Sequence, residues 1–308
     1  MSRSRTFVET RAGHVALVGR PNVGKSTLFN ALVGQPLAIT SPHPQTTRST
    51  VRGVLTKEET QYVVFDTPGL HEPRTLLGRA MNESARYAAR EADAIVLLVA
   101  SPPETRPPEP DPGDLSLLTE LPARRTILAI TKVDRLKDKS RLLPFIAAFV
   151  ERQTFAATVA ISARRNDGID RLLAEIRPLL PEQPWLFDAE TISDQPARFF
   201  VAELVREQVL RHTRQEVPHG VAVVVDAFDE SRPVPRIDVT VHVSRETHKK
   251  ILIGAQGRML KSIASAARGR IEAMLSTKVR LRLEVRATPG WMDNGARLRE
   301  LGYGVQTP

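Results

Sequence analysis

Cysteine is absent from all 308 residues. Disulfides, thiolate nucleophiles and cysteine–zinc sites are thereby excluded, and the absence favours a cytoplasmic location. No apolar run approaches the roughly 18 residues needed to cross a bilayer. The opening stretch Met1-Ser2-Arg3-Ser4-Arg5-Thr6 has no apolar segment behind it and does not read as a signal peptide. Charge of one sign is in excess in one part of the chain only. Residues 198–308 carry 19 Lys and Arg against 12 Asp and Glu, whereas residues 1–197 carry 25 against 23. The basic excess belongs to the C-terminal third and points to a polyanionic partner there, nucleic acid first and acidic lipid second. The length suggests about two domains, each able to bury a core.

Between residues 14 and 180, short apolar runs alternate with helical patterns. Strands are expected at 14–18, 51–55, 62–65, 94–99, 126–130 and 158–161. This alternation implies a mostly parallel sheet with helices on both faces. The stretch 56–61 is too short for a crossover helix, so 51–55 and 62–65 are expected to form an antiparallel edge hairpin. The proline-dense residues 101–112 read as a mobile surface insertion. Residues 181–184 and 188–196 read as a linker. Beyond it the pattern predicts helix 199–213, strands 221–228 and 236–243, helix 246–253, a loop, helix 258–275 and strand 278–285. That order is α-β-β-α-loop-α-β, a smaller α+β domain.

The most informative stretch is Gly19-Arg20-Pro21-Asn22-Val23-Gly24-Lys25-Ser26, which fits G-x-x-x-x-G-K-[ST]. An apolar strand precedes it and a helix over 27–33, beginning at Thr27, follows. In that setting backbone N–H groups surround phosphate oxygens. Lys25 reaches the β- and γ-phosphates and Ser26 ligates Mg²⁺. Asp66-Thr67-Pro68-Gly69-Leu70 follows the strand 62–65. There Asp66 can hold Mg²⁺ through water, and the Gly69 N–H can meet the γ-phosphate, so hydrolysis would release the loop. In Pro44-Gln45-Thr46-Thr47-Arg48, a threonine is expected to join the metal and γ-phosphate, and Thr47 is favoured over Thr46. Thr131-Lys132-Val133-Asp134 resembles the [NT]-K-x-D guanine-selecting motif of GTPases. Asp134 would accept two hydrogen bonds that adenine cannot offer, and the Lys132 stem would cover the ring. Thr131 replaces the commoner Asn, with a modest loss of loop bracing expected. Ser162-Ala163, after the strand 158–161, resembles the last GTPase element, in which a backbone N–H meets the guanine carbonyl.

Many small GTPases carry a water-orienting Gln directly after the D-x-x-G glycine. Leu70 stands there instead and can handle no proton. Asn22 resembles an asparagine that ligates K⁺ in some GTPases, and K⁺ would neutralise charge developing in the transition state. Lys25, Thr47, Gly69 and Asn22 are thus the candidate catalytic set.

In the second domain, Ile251-Leu252-Ile253-Gly254-Ala255-Gln256-Gly257-Arg258 resembles the I-G-x-x-G segment of KH domains, which clamp single-stranded RNA. On the following helix Leu260, Ile263, Ala267, Ile271 and Met274 are expected in the core. Arg258, Lys261, Ser265 and Arg268 form a second stripe. KH loops often carry Lys or Gly where Ala255 and Gln256 stand, so Arg258, Lys249 and Lys250 are expected to supply the missing charge.

A P-loop GTPase followed by a type II KH domain resembles the Era family of bacterial GTPases. The resemblance extends over residues 13–303 and includes Thr213-Arg214-Gln215-Glu216, Trp291 and Leu298-Arg299-Glu300-Leu301-Gly302-Tyr303. It implies a GTPase domain at 12–180, a linker at 181–197, a KH domain at 198–286 and a tail at 287–308. It also implies a monomeric GTP/GDP switch, dependent on Mg²⁺, that binds the 3′ region of small-subunit (16S) ribosomal RNA and assists assembly of the 30S subunit. Peripheral contact with the inner membrane belongs to the same expectation. The switch loops at Thr47 and Gly69 would gate RNA entry. Two other readings stand beside this one. One is a GTPase acting chiefly at the membrane or in cell-cycle control, against which the lack of a long basic amphipathic helix argues. The other is an RNA-binding module whose nucleotide site only stabilises the fold.

Overall fold

Three runs, VALV at 15–18, AIVLLV at 94–99 and TILAI at 126–130, are apolar at nearly every position. Such runs suit parallel strands covered on both faces. In the computed structural model, which describes residues 10–41, 43, 45–213 and 217–303, they form the middle of a six-stranded sheet. The strands are β1 (Arg11–Val18), β2 (Val51–Lys57), β3 (Thr60–Asp66), β4 (Ala94–Ala100), β5 (Thr126–Thr131) and β6 (Ala157–Ala160), in the order β2-β3-β1-β4-β5-β6. Only β2 is antiparallel to its neighbour. Its two-residue turn to β3 places Glu58 at φ 51°, the positive φ that tight hairpins require. Helices α1 (Lys25–Val33), α2 (Leu76–Glu91), α3 (Pro112–Leu118), α4 (Leu142–Val150) and α5 (Ile169–Ile176) follow the strands. α1 starts two residues before the predicted 27, so Lys25 and Ser26 occupy its first turn.

The chain divides into two compact units. Among the described residues, the first unit takes those within 10–38, 49–71 and 84–194, and the second those within 39–48, 72–83 and 195–303. Two expectations change within the first unit. The proline-dense insertion lies on the surface but is pinned there. Glu104 accepts the Lys137 N–H at 2.7 Å, and the Arg141 guanidinium donates to the Pro103 and Arg106 carbonyls. Residues 181–194 are a strap rather than a free tether. The side-chain amide oxygen of Gln61 accepts the N–H groups of Leu186 and Phe187, the Val54 N–H donates to the Ile192 carbonyl, and Arg52 pairs with Asp194. The strap therefore takes up hydrogen-bonding groups of edge strand β2 that would otherwise invite foreign strands.

The second unit contains α6 (Ala197–His212), β7 (Val221–Asp229), β8 (Arg236–Val243), α7 (Glu246–Ile253), α8 (Arg258–Leu275) and β9 (Arg280–Ala287). Its sheet runs β7-β8-β9, with β8 and β9 parallel. Valines of all three strands pack on Val201, Val205 and Val209 of α6 and on Ile263, Ala267 and Ile271 of α8. Leu260 is only partly buried, and Met274 is 37% exposed, contrary to the expected core stripe. Met274 is 11 residues, close to three whole turns, beyond Ile263 and so stays on the same side of α8, but it stands in the last turn of the helix, past the buried Ile271. The final strand starts and ends two residues later than predicted. A short helix α9 (Gly295–Glu300), not anticipated from sequence, closes over fully buried Trp291 together with Leu77, Met81, Leu298 and Leu301. Residues 1–6, Pro44 and residues 214–216 of the sequence motifs lie outside the described residues.

Candidate functional site

At the C-terminal end of β1 the backbone enters conformations that side chains resist. Gly19 has φ +150°, and a Cβ there would lie 2.4 Å from the Leu98 carbonyl oxygen. Asn22 takes φ 63° and Gly24 φ +108°, the latter as the N-cap of α1. The loop thus curls around the helix N-terminus and leaves its first-turn N–H groups for an anion. Lys25 is buried. Its ammonium donates to the carbonyls of Gly19 at 3.0 Å and Arg20 at 2.9 Å. Burial pulls Lys25 down to about 8, opposed by the nearby charges of Asp66 and Asp114. Thr27 faces solvent one residue past Ser26.

The other loops are fastened to this one by specific bonds. Ser26 Oγ donates to Asp66 Oδ2 at 2.7 Å, which brings two hard oxygen donors to one point. Thr67 donates to the Leu17 carbonyl at 2.6 Å. The backbone of Gly69 packs against Pro21 so closely that a Cβ would approach Pro21 N to 2.6 Å. The Leu70 N–H reaches the Gly19 carbonyl at 3.1 Å, and its side chain is 6% exposed in the apolar core. Pro68 is buried beside them.

Thr131 is joined to the phosphate loop. Its hydroxyl donates to the Val23 carbonyl at 2.6 Å and so braces the phosphate loop itself. Lys132 sits at φ 59° and its ammonium donates to the Asn22 carbonyl, with burial pulling its pKa down. Val133 is buried. Ser162 Oγ donates to Asp134 Oδ1 at 2.7 Å, the main reason the Asp134 carboxyl stays below its usual range. Ala163, half-buried, follows directly. Asp66, Gly69, Thr131 and Lys132 therefore meet the phosphate loop within the first unit, and Asp134 and Ser162 are bonded to each other. Thr47 belongs to the second unit and is buried. There its neighbour Arg48 donates to the carbonyls of Pro218, His219 and Val221 and lies over the Trp291 ring. The Thr46 hydroxyl is engaged by the His43 carbonyl at 2.6 Å. Sequence reasoning missed Asp111 and Asp114 of α3, which face Arg20; only tertiary contact reveals them.

In the second unit the loop 254–257 joins α7 to α8. Gly254 has φ +69°, and a Cβ would stand 2.7 Å from the Met259 side chain. Gly257, at φ +73°, is the N-cap of α8 and needs glycine only for that φ. Ala255 and Gln256 are exposed, Gln256 at φ 52°. Arg258, Lys261, Ser262, Ser265 and Ala266 line a shallow open groove on α8. Arg268 and Lys250 are exposed, Lys249 is half-buried and Ile253 packs partly into the core.

Known proteins share this arrangement. Residues 14–132 match the family described as 50S ribosome-binding GTPase, and residues 216–291 match the KH domain family. GTPase Era of Ruminiclostridium cellulolyticum is 42% identical over 95% of this chain and 97% of its own length. GTPase Era of Geobacter metallireducens is 43% identical over 95% and 98%. A point variant of Aquifex aeolicus Era bound to GDP·AlF4⁻ superposes with a TM-score of 0.88 at 34% identity, covering 96% of this chain and all of that one. A structure of Era with MgGDPNP and nucleotides 1506–1542 of 16S ribosomal RNA superposes with a TM-score of 0.89, also at 34% identity, covering 96% and 99%. With two relatives above 40% identity along nearly its whole length, the chain belongs to the Era family of GTPases.

Proposed function

We propose that this chain is a GTP-hydrolysing switch that binds the 3′ region of 16S ribosomal RNA and assists maturation of the 30S subunit. The observation that carries the reading is the bonding of the phosphate, D-x-x-G and T-K-x-D loops to one another, in a chain that also presents a G-x-x-G loop beside a basic groove. The backbone of residues 19–27 and the Lys25 ammonium would hold the phosphates. Asp134, oriented by Ser162, would select guanine, with Ala163 at its carbonyl and Lys132 over the ring. Ser26 and Asp66 fit a hard divalent cation. Among the described residues no cluster of three or more His, Cys, Asp or Glu could hold a metal, so Mg²⁺ would depend on Ser26, Asp66, the Thr47 hydroxyl in the triphosphate state, phosphate and water. Bound Mg²⁺ would supply charge neutralisation at the phosphates. Thr47 and Gly69 would sense the γ-phosphate. Residues 39–48 and 72–83, which flank strands of the first unit in sequence, fold into the second, and this supports a nucleotide-dependent change there.

The RNA would meet Ile253, Gly254, Ala255, Gln256 and Gly257 through its backbone, and Lys249, Lys250, Arg258 and Lys261 through phosphate charge. On this reading the chain works as a cytoplasmic monomer with peripheral membrane contact, divided functionally at 12–180, 181–197, 198–286 and 287–308. No described helix is long and apolar enough to cross a membrane. Filter binding of a labelled 16S 3′-end RNA, at one stated salt, tests the core of the proposal. Tighter binding with a non-hydrolysable GTP analogue than with GDP is expected, and equal binding in both states would reject the switch. With Leu70 turned into the core, Asn22 is assigned to K⁺. GTP turnover should be faster in K⁺ than in Na⁺, the gain vanishing in Asn22→Ala, and equal rates in both salts would remove K⁺ from the mechanism.

A further inference from the structure

Arg20 occupies a variable place in the phosphate-loop pattern, yet its side chain is held from a distant part of the chain. Its Nη1 lies 2.5 Å from Asp111 Oδ1 and 3.7 Å from Asp114 Oδ2. Asp111 also caps α3 by accepting the Gly113 N–H at 2.8 Å. Asp114 is 6% exposed, and its Oδ1 is buried without a hydrogen-bond partner. Gly113 fits against the same arginine, and a Cβ there would stand 3.0 Å from Arg20 Nε and 3.2 Å from Cδ. The main-chain carbonyl of Arg20, in turn, is one of the two that hold the Lys25 ammonium. A line of contacts therefore runs from a buried carboxylate on α3, through Arg20, to the lysine at the phosphates.

We propose that Asp114 is a positioning residue for GTP: with Asp111 it holds the Arg20 side chain, and through the Arg20 carbonyl it sets where the Lys25 ammonium meets the phosphates. The proposal rests on the GTP-binding reading above. Burial pushes the Asp114 carboxyl up to about 6, with the Arg20 charge opposing, so at neutral pH the charged form is kept at a cost to the fold. A costly buried charge retained beside a binding loop is expected where function, rather than stability, selects it. The proline-dense segment 101–112 then has a task, because it delivers Asp111 and the first turn of α3 to the phosphate loop.

The test is titration of a fluorescent non-hydrolysable GTP analogue into the full-length wild type, Asp114→Asn, Arg20→Gln, their double variant and Gly113→Ala, with thermal melts of each at neutral pH. Asp114→Asn and Arg20→Gln should each weaken analogue binding about ten-fold, and the double variant should bind no more weakly than the worse single, because both break one linkage. Asp114→Asn should melt no lower than wild type. Gly113→Ala favours the helix but presses on Arg20, so it should melt at or above wild type and still bind the analogue more weakly. A merely structural role for α3 would not separate affinity from melting in this way. Wild-type affinity in both Asp114→Asn and Gly113→Ala would overturn the proposal, as would a double variant whose loss is the product of the single losses. If Asp114→Asn fails to fold, Gly113→Ala and Arg20→Gln decide by the same criterion. A wild type that binds no guanine nucleotide overturns the functional reading itself, whereas a wild type that binds beside indifferent variants overturns only the positioning role.

Discussion

A single hydroxyl shows how finely the phosphate loop is held. Thr131 at the end of β5 donates to the Val23 carbonyl, a bond from a buried side chain to the loop that curls around Lys25. Thr131→Val keeps shape and β-propensity but leaves that carbonyl without this donor. One such bond contributes about 1 kcal/mol, so guanine-nucleotide affinity should fall roughly five-fold in a fluorescent-nucleotide titration, with Thr131→Ser close to wild type. Asp114 makes a different residue-level prediction. Its folded pKa, about 6, is raised above the ordinary 3.8 by burial and Asp111, against the opposing charges of Arg20 and Lys25. A raised acid contributes stability that is present at low pH and lost as pH rises through about 6. The melting advantage of Asp114→Asn over wild type should therefore be largest above pH 6 and close as pH falls toward 4. A gap that is constant across that range would contradict the burial argument.

Among the elements, α8 combines two tasks on two faces. Ile263, Ala267 and Ile271 fill the core, while Arg258 and Lys261 stand at its N-terminal end beside the G-x-x-G loop. An N-terminal helix end and two cations favour phosphate without reading bases. Arg258→Ala and Lys261→Ala should weaken RNA binding similarly across sequences. Each should lower the slope of log affinity against log salt by about 0.7, the value for one single-strand phosphate contact. A sequence-dependent loss would instead assign these residues to base contacts. The strap over β2 shows an element made by pairing rather than by propensity. Residues 181–194 have linker composition, yet Gln61, Arg52 and Val54 bind them to the sheet edge.

At the scale of the whole molecule, a switch requires reciprocity. If the GTP analogue tightens RNA binding by some factor, RNA must tighten the analogue over GDP by the same factor. Nucleotide titrations with and without saturating RNA check this directly, and unequal factors would show that the two measurements do not describe one equilibrium. The fold class, nearly every strand and helix, and the nucleotide loops were legible along the chain. Apolar runs, glycine spacing and short motifs act locally, through sterics and backbone hydrogen bonding. Other features were not legible. Asp114 lies 94 residues from Arg20, Arg48 reaches carbonyls some 170 residues away, and Met274 lies in the last turn of α8, past the residues the core covers. The sequence by itself determined the elements, the phosphate loop and the choice of guanine. Tertiary structure alone decided which buried charge steadies Arg20, that the Thr131 hydroxyl reaches the phosphate loop, and that a linker becomes a strap. Those outcomes depend on which distant groups are desolvated together, and desolvation exists only once the chain has folded.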